Sequence, residues 1–282
     1  MADKKEYPEL MRIREYGVKA FGPVARRLVS PDRWTDAYPA CPEWANELDV
    51  LLRFADEQSR LPSFIPRLES RNTLRDEALN ELRVAYWFQH NGFPLVQWEP
   101  PGLNGRVGEY LIDSPEGIRI FVEVKSPGWE GDLTKEERQA GRTKQPKYRD
   151  SDGGAFGNWQ PIHRCIASPK TYPKFAPTQP NLLVIADDLQ VSLIDSPEHV
   201  DIALYVKHNG YGETGYFTSS RFENIGGVAI FGAEKIFGRQ GIDYEFRVFA
   251  NPLALISTKL SDSILRFKTG TRGTLRETIV LR

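Results

Sequence analysis

The run Ile118-Arg119-Ile120-Phe121-Val122-Glu123-Val124-Lys125 constrains this chain more than any other stretch. β-Branched and aromatic residues dominate it, and it is too short and too regularly alternating for a helix, so it reads as a β-strand. Strand side chains alternate between faces. Ile118, Ile120, Val122 and Val124 therefore form one aliphatic face, and Arg119, Phe121, Glu123 and Lys125 share the other. The strand closes with a carboxylate and an ammonium on the same side. By itself a Glu-x-Lys pair fits a solvated pair on a half-exposed strand as well as a reactive centre.

What surrounds this strand decides the architecture. Residues 72–91 read as the clearest helix, with Asn72 or Thr73 as cap, Asp76 and Glu77 at its positive end and Asn91-Gly92 as its stop. Before it, residues 42–58 carry Trp44, Leu48, Leu51, Leu52 and Ala55 at helical spacing. Residues 7–28 are a further helical stretch interrupted at Gly22-Pro23, and Pro62 and Pro66 punctuate the approach to the main helix. After Gly92 the pattern turns to short β-type runs at 95–98, 106–112 and 118–126, the last two joined by the turn 113–117. A polar segment, 127–157, and a partly helical stretch, 158–175, precede a buried-looking strand at 181–186. A helix from 196 to about 207 and strands near 227–231 and 244–249 complete the order. Helix, three-strand meander, helix and strand predict an α/β class with a mixed central sheet flanked by helices. Residues 1–71 are expected to form a helical N-terminal extension and 72–282 the main domain.

Composition narrows the function classes. The chain has 282 residues, 37 Lys and Arg against 38 Asp and Glu, and a net charge of -1, which argues against a histone-like coating protein but leaves room for local basic patches. The apolar runs at 181–186 and 227–232 are far too short to span a bilayer. No apolar stretch follows the N-terminal lysines, and Cys41 and Cys165 stand apart from each other and from any zinc-ligand spacing. No secretory signal, disulfide framework or structural zinc is expected, and a reducing cytoplasm is the expected compartment.

Two further carboxylates draw attention. In Val107-Gly108-Glu109-Tyr110-Leu111-Ile112, Glu109 falls on a face with two aliphatic residues. A hairpin between this run and the next would bring Glu109 beside Glu123, where the two charges need a proton or cation between them. Mg²⁺ suits such a pair, and a surface Glu facing a neighbouring Arg or Lys is the alternative. Glu81 lies inside the arc set by Leu74, Ala78, Leu82, Ala85 and Phe88. A carboxylate on that face requires a metal or a buried ion pair, and both stay open.

The order Asn80-Glu81-Leu82, Asn91-Gly92-Phe93, Gly108-Glu109-Tyr110-Leu111-Ile112 and Phe121-Val122-Glu123-Val124-Lys125 resembles the PD-(D/E)xK nuclease superfamily. The resemblance covers residues 72–125 and continues loosely through 180–185. It implies a restriction-endonuclease-like core and a metal-dependent nuclease that hydrolyses phosphodiester bonds, with DNA as the expected substrate. It further implies that Glu109, Glu123 and the main-chain carbonyl of Val124 hold Mg²⁺ or Mn²⁺. Lys125 would orient or activate the attacking water, and Glu81 would support a metal-bound water or a second ion. Glu123 and Lys125 are expected at a cleft rather than in the packed core. One departure stands out: the family usually carries Pro-Asp where this chain has Gly108-Glu109. A catalytically inactive member of the same fold, binding nucleic acid or a protein partner, is the alternative.

Basic residues follow the Glu-x-Lys strand. Arg142, Lys144, Lys147 and Arg164 are candidate substrate contacts, diluted by Glu136, Glu137, Asp150 and Asp152, so a solvated loop fits the segment as well as a phosphate-gripping one. His163 and Lys170 lie on the stretch that follows. No membrane partner is expected, and symmetric cutting of both strands would favour a homodimer.

Overall fold

The structure is a computed structural model that describes residues 24, 42–69, 73–126, 162, 165, 166, 168, 170–187, 197–207, 215–234, 242–267 and 275–278. The expected helix at 7–28 and the polar segment 127–157 lie outside this set, apart from residue 24. The chain divides into two compact units. The first comprises Met1–Tyr86, Glu234–Asp243 and Glu277–Arg282, and the second Trp87–Ala233 and Tyr244–Arg276.

In the first unit, helix α1 spans Pro42–Glu57 and α2 spans Leu61–Leu68. The second of these was not expected, because Pro62 and Pro66 read as punctuation. Pro62 sits in the first turn of α2, where a missing N–H costs nothing, and Leu61, Phe64 and Leu68 bury one face. Helix α3, Thr73–His90, begins in the first unit and ends in the second. A buried ion pair ties α1 to α3: the Arg83 guanidinium donates through Nε and Nη2 to the Glu47 carboxylate at 2.9 Å each.

The second unit is built on a mixed sheet. Its strands are β1 (Leu95–Trp98), β2 (Tyr110–Asp113), β3 (Arg119–Lys125), β4 (Asn181–Asp187), β5 (Gly227–Glu234), β6 (Asp243–Ala250) and β7 (Leu275–Thr278). They lie side by side in chain order. β1, β2 and β3 form an antiparallel meander, and β4 pairs parallel with both β3 and β5. This is the α/β arrangement that the order of elements predicts. Strand β2 is shorter than expected: only Pro101 and Val107 bridge ahead of it, and the ladder proper begins at Tyr110.

Helices cover both faces. On one side, Val200, Ala203 and Leu204 of helix α4 (Pro197–Tyr205) pack in a core cluster with Phe121, Leu183, Ile185, Val228, Ile230 and Phe249. On the other, Trp87 at the end of α3 stacks on Phe246 with ring centroids 4.1 Å apart. Phe246 and Phe249 are three apart on β6, so strand alternation puts them on opposite faces. The turn from β2 to β3 is tied down by Glu116, whose carboxylate accepts from the backbone N–H (2.9 Å) and hydroxyl (2.7 Å) of Ser263 in the short helix α5, Asp262–Leu265.

Candidate active site

With β2 on one side and β4 on the other, β3 is an interior strand, and Ile120 through Val124 are buried on both faces. Glu123 is consequently 0% exposed. This corrects the expectation of a cleft position: the parallel crossover lays β4 along β3 in the register Glu123 to Leu183 and closes that flank. Val124 is buried as well and lies in register with Val184.

A buried carboxylate requires partners for both oxygens. Glu123 has them for one. Its Oε1 accepts from the Lys174 ammonium at 2.6 Å and also contacts the Lys125 ammonium. Its Oε2 is buried and has no hydrogen-bond partner among the described residues. Such an atom typically costs about 1–3 kcal/mol, more when charged, so packing alone gives no reason for it.

Lys125 is drawn in opposing directions. Burial disfavours its charge, but the charge and hydrogen bond of Glu123 and the charge of Glu109 outweigh burial and hold its pKa above the ordinary lysine value. Glu123 first, then Glu109 and Cys165, favour the charged form of Lys125. β2 and β3 stay in step as far as Tyr110 opposite Val122, and the ladder leaves register there, because the Glu109 N–H also donates to the Val122 carbonyl, at 3.1 Å.

Gly108 permits this approach. A Cβ there would stand 2.2 Å from the Phe121 ring, so no larger residue fits without displacing Phe121. The Gly108 N–H also donates to the Pro100 carbonyl at 2.9 Å, fixing the lead-in to β2. The Phe121 ring is held in turn edge-to-face against Phe175, centroids 6.0 Å apart.

Lys174 was not singled out from the sequence. It ends a 3-10 turn, Tyr172–Lys174, whose backbone is fixed by the Lys174 N–H donating to the Thr171 carbonyl at 3.0 Å. It lies 51 residues after Glu123 and has no motif around it. Only the return of the chain into β4 brings it to the carboxylate. Lys170, which the sequence suggested, is exposed, and its carbonyl accepts from Arg106 at 3.4 Å.

Glu81 belongs to the first unit. It is 8% exposed, and its carboxylate makes a two-pronged pair with Arg67, each bond 2.5 Å long. That is the ion-pair arrangement the sequence left open beside a metal role. Arg142, Lys144, Lys147, Arg164 and His163 lie outside the described residues.

Among the described residues no group of three or more His, Cys, Asp or Glu side chains converges on one point. The centre thus combines Glu109, Glu123, Lys125 and Lys174. It can hold a cation at the unpaired Glu123 oxygen, and it presents two ammonium groups to an anion. No family model matches the chain, and neither a curated protein nor a solved structure matches it.

Proposed function

We propose that the second unit is a restriction-endonuclease-like core of the PD-(D/E)xK kind and that the protein is a metal-dependent nuclease acting on DNA. The observation that carries this reading is the Glu123 Oε2 atom, buried and without a hydrogen-bond partner among the described residues, on a carboxylate that contacts Lys125. Support for the fold comes from the order of elements: a helix, an antiparallel meander ending in Glu-x-Lys, and a crossover to a parallel strand.

The residues fit Mg²⁺ or Mn²⁺. Carboxylate oxygens are the preferred ligands of such ions, and the unpaired oxygen of Glu123 is of that chemistry. Glu123 and Glu109 would hold the ion, with the Val124 carbonyl as the further ligand that the resemblance implies. When bound, the ion supplies Lewis-acid activation of water and neutralises charge on the phosphate.

The remaining work falls to side chains of this chain. Lys125, a half-buried ammonium, orients the attacking water and stabilises negative charge growing on the phosphate oxygens. Glu123 holds Lys125 in position through Oε1 and leaves Oε2 for the cation. Burial of the strand removes competing water and strengthens these charge interactions.

A second reading, an inactive member of the fold that binds nucleic acid or protein, draws on two features. Glu109 stands where the family usually has Asp, and two lysines already satisfy one oxygen of Glu123. One assay separates the two. Purified protein is incubated with plasmid and short duplex and single-stranded DNA, in Mg²⁺, Mn²⁺ or chelator. The nuclease reading expects metal-dependent cleavage that Lys125→Met reduces at least about a hundredfold. Binding without cleavage under all conditions selects the inactive reading.

A further inference from the structure

We propose that Lys174 is a positioning residue that holds the Glu123 carboxylate and suppresses the affinity of the site for a free divalent cation, so that the cation binds strongly only together with an anion. The inference rests on the metal-nuclease reading and goes beyond it, because neither the motif nor its resemblance assigns anything to Lys174.

Charge counting is the first step. Among the described residues two ammonium groups, those of Lys125 and Lys174, address the single carboxylate of Glu123, so positive charge there exceeds the charge of that carboxylate. With Lys125 alone the two would balance. A divalent cation entering beside both ammonium groups adds two more positive charges, and a phosphodiester then restores part of the balance.

Geometry is the second step. Both ammonium groups address Oε1, and Oε2 remains without a partner. Lys174 therefore opposes a cation by its charge and not by filling the cation's position. Its side chain is only 14% exposed. The backbone behind it is held by the Lys174 N–H donating to the Thr171 carbonyl at 3.0 Å, and Pro173 stiffens the turn. The ammonium accordingly stays on Oε1 while Oε2 takes up the cation.

The test is Mn²⁺ binding to the full chain, followed by electron paramagnetic resonance of the free ion, for the wild type, K174M, K174Q and K174R. Thermal melts identify the variants that fold. Removing a unit charge several ångströms from a divalent ion in a part-buried site should tighten binding at least about tenfold. K174M and K174Q are expected to show that gain, and K174R to stay within about twofold of the wild type. A merely structural lysine would give the opposite result, because a misplaced Glu123 binds the ion more weakly. Equal or weaker Mn²⁺ binding by K174M and K174Q overturns the inference, and if the wild type still cleaves DNA the nuclease reading stands. Absence of Mn²⁺ binding in every form, together with absence of cleavage, overturns both. If K174M does not fold, K174Q and K174R carry the comparison.

Discussion

Replacing Glu123 by Gln keeps the shape of the side chain and removes the charge that two ammonium groups share. The carboxylate accepts from Lys174 at 2.6 Å and contacts Lys125, whose side chains are 14% and 29% exposed. A hydrogen bond to a charged group contributes about 1.5–3 kcal/mol, roughly half of which survives with a neutral acceptor, so the two contacts together lose about 2–3 kcal/mol. The substitution also relieves a charged oxygen without a partner, which returns about 1 kcal/mol. The net expectation is a destabilisation of about 1–2 kcal/mol. Glu123→Ala, which leaves no acceptor at all, should cost about 3–5 kcal/mol. Urea unfolding followed by fluorescence measures both as shifts in midpoint at constant slope. Adding Mg²⁺ then separates the variants further. With a dissociation constant of about 1 mM, 10 mM Mg²⁺ would stabilise the wild type by about 1.4 kcal/mol and the Gln variant not at all. A Gln variant as stable as the wild type without metal, and equally stabilised by Mg²⁺, would refute the reasoning on both counts.

Two more outcomes follow from the same packing. Gly108→Ala should destabilise by about 1–3 kcal/mol, since its methyl group would stand 2.2 Å from the Phe121 ring, and the cost should shrink in a Gly108→Ala/Phe121→Leu double variant; additive costs in thermal melts would count against this contact. Glu116 is held at a pKa of about 2, below the ordinary carboxylate value, chiefly by the hydroxyls of Ser263 and Ser114. Its contribution is thus present above pH 4.5 and fades as pH falls towards 2, so the stability gap between wild type and Glu116→Gln should be constant near pH 6 and close on acidification; a gap that widens in acid would contradict the assignment.

Much of the architecture was legible because its signals are local. Periodicity and caps locate α1 and α3, and dense β-branched runs locate β3 and β4. The mixed sheet follows from the order of these elements. Signals that depend on other parts of the chain were harder to read. Strand β2 begins at Tyr110 and not near Arg106, because Asn104 and Gly105 take positive φ in a turn and Gly108 closes on Phe121, a contact made across the hairpin. Strand β7, Leu-Arg-Glu-Thr, has a single aliphatic residue and offers no pattern to detect. The candidate site divides in the same way. Glu123 and Lys125 share a strand face that can be read from alternation alone, and Glu109 lies on the run just before β2. Lys174 reaches them only through the crossover into β4, and no feature of its own neighbourhood marks it. The burial of Glu123 was likewise a tertiary property, set by the strand laid beside it and not by its own sequence.

Gly108, which stands where the PD-(D/E)xK resemblance would place proline, has a packing cause. Phe121 follows from its place on β3, one alternation before Glu123, where it joins the core cluster on the face toward α4 and meets Phe175 edge to face. A ring that large leaves no space opposite it for a Cβ, and a proline at 108 would add a ring of its own and remove the N–H that donates to the Pro100 carbonyl. Glycine is what this hairpin requires once Phe121 is present. A glycine where the resemblance would place proline then follows from the core. What bears on chemistry is the carboxylate that follows. Glu109 keeps the charge and, with Glu123, favours the charged form of Lys125. Restoring the commoner acid by Glu109→Asp, with Gly108 untouched, changes only the length of that arm. The cation-binding and cleavage assays therefore test the arm directly, free of the hairpin's packing.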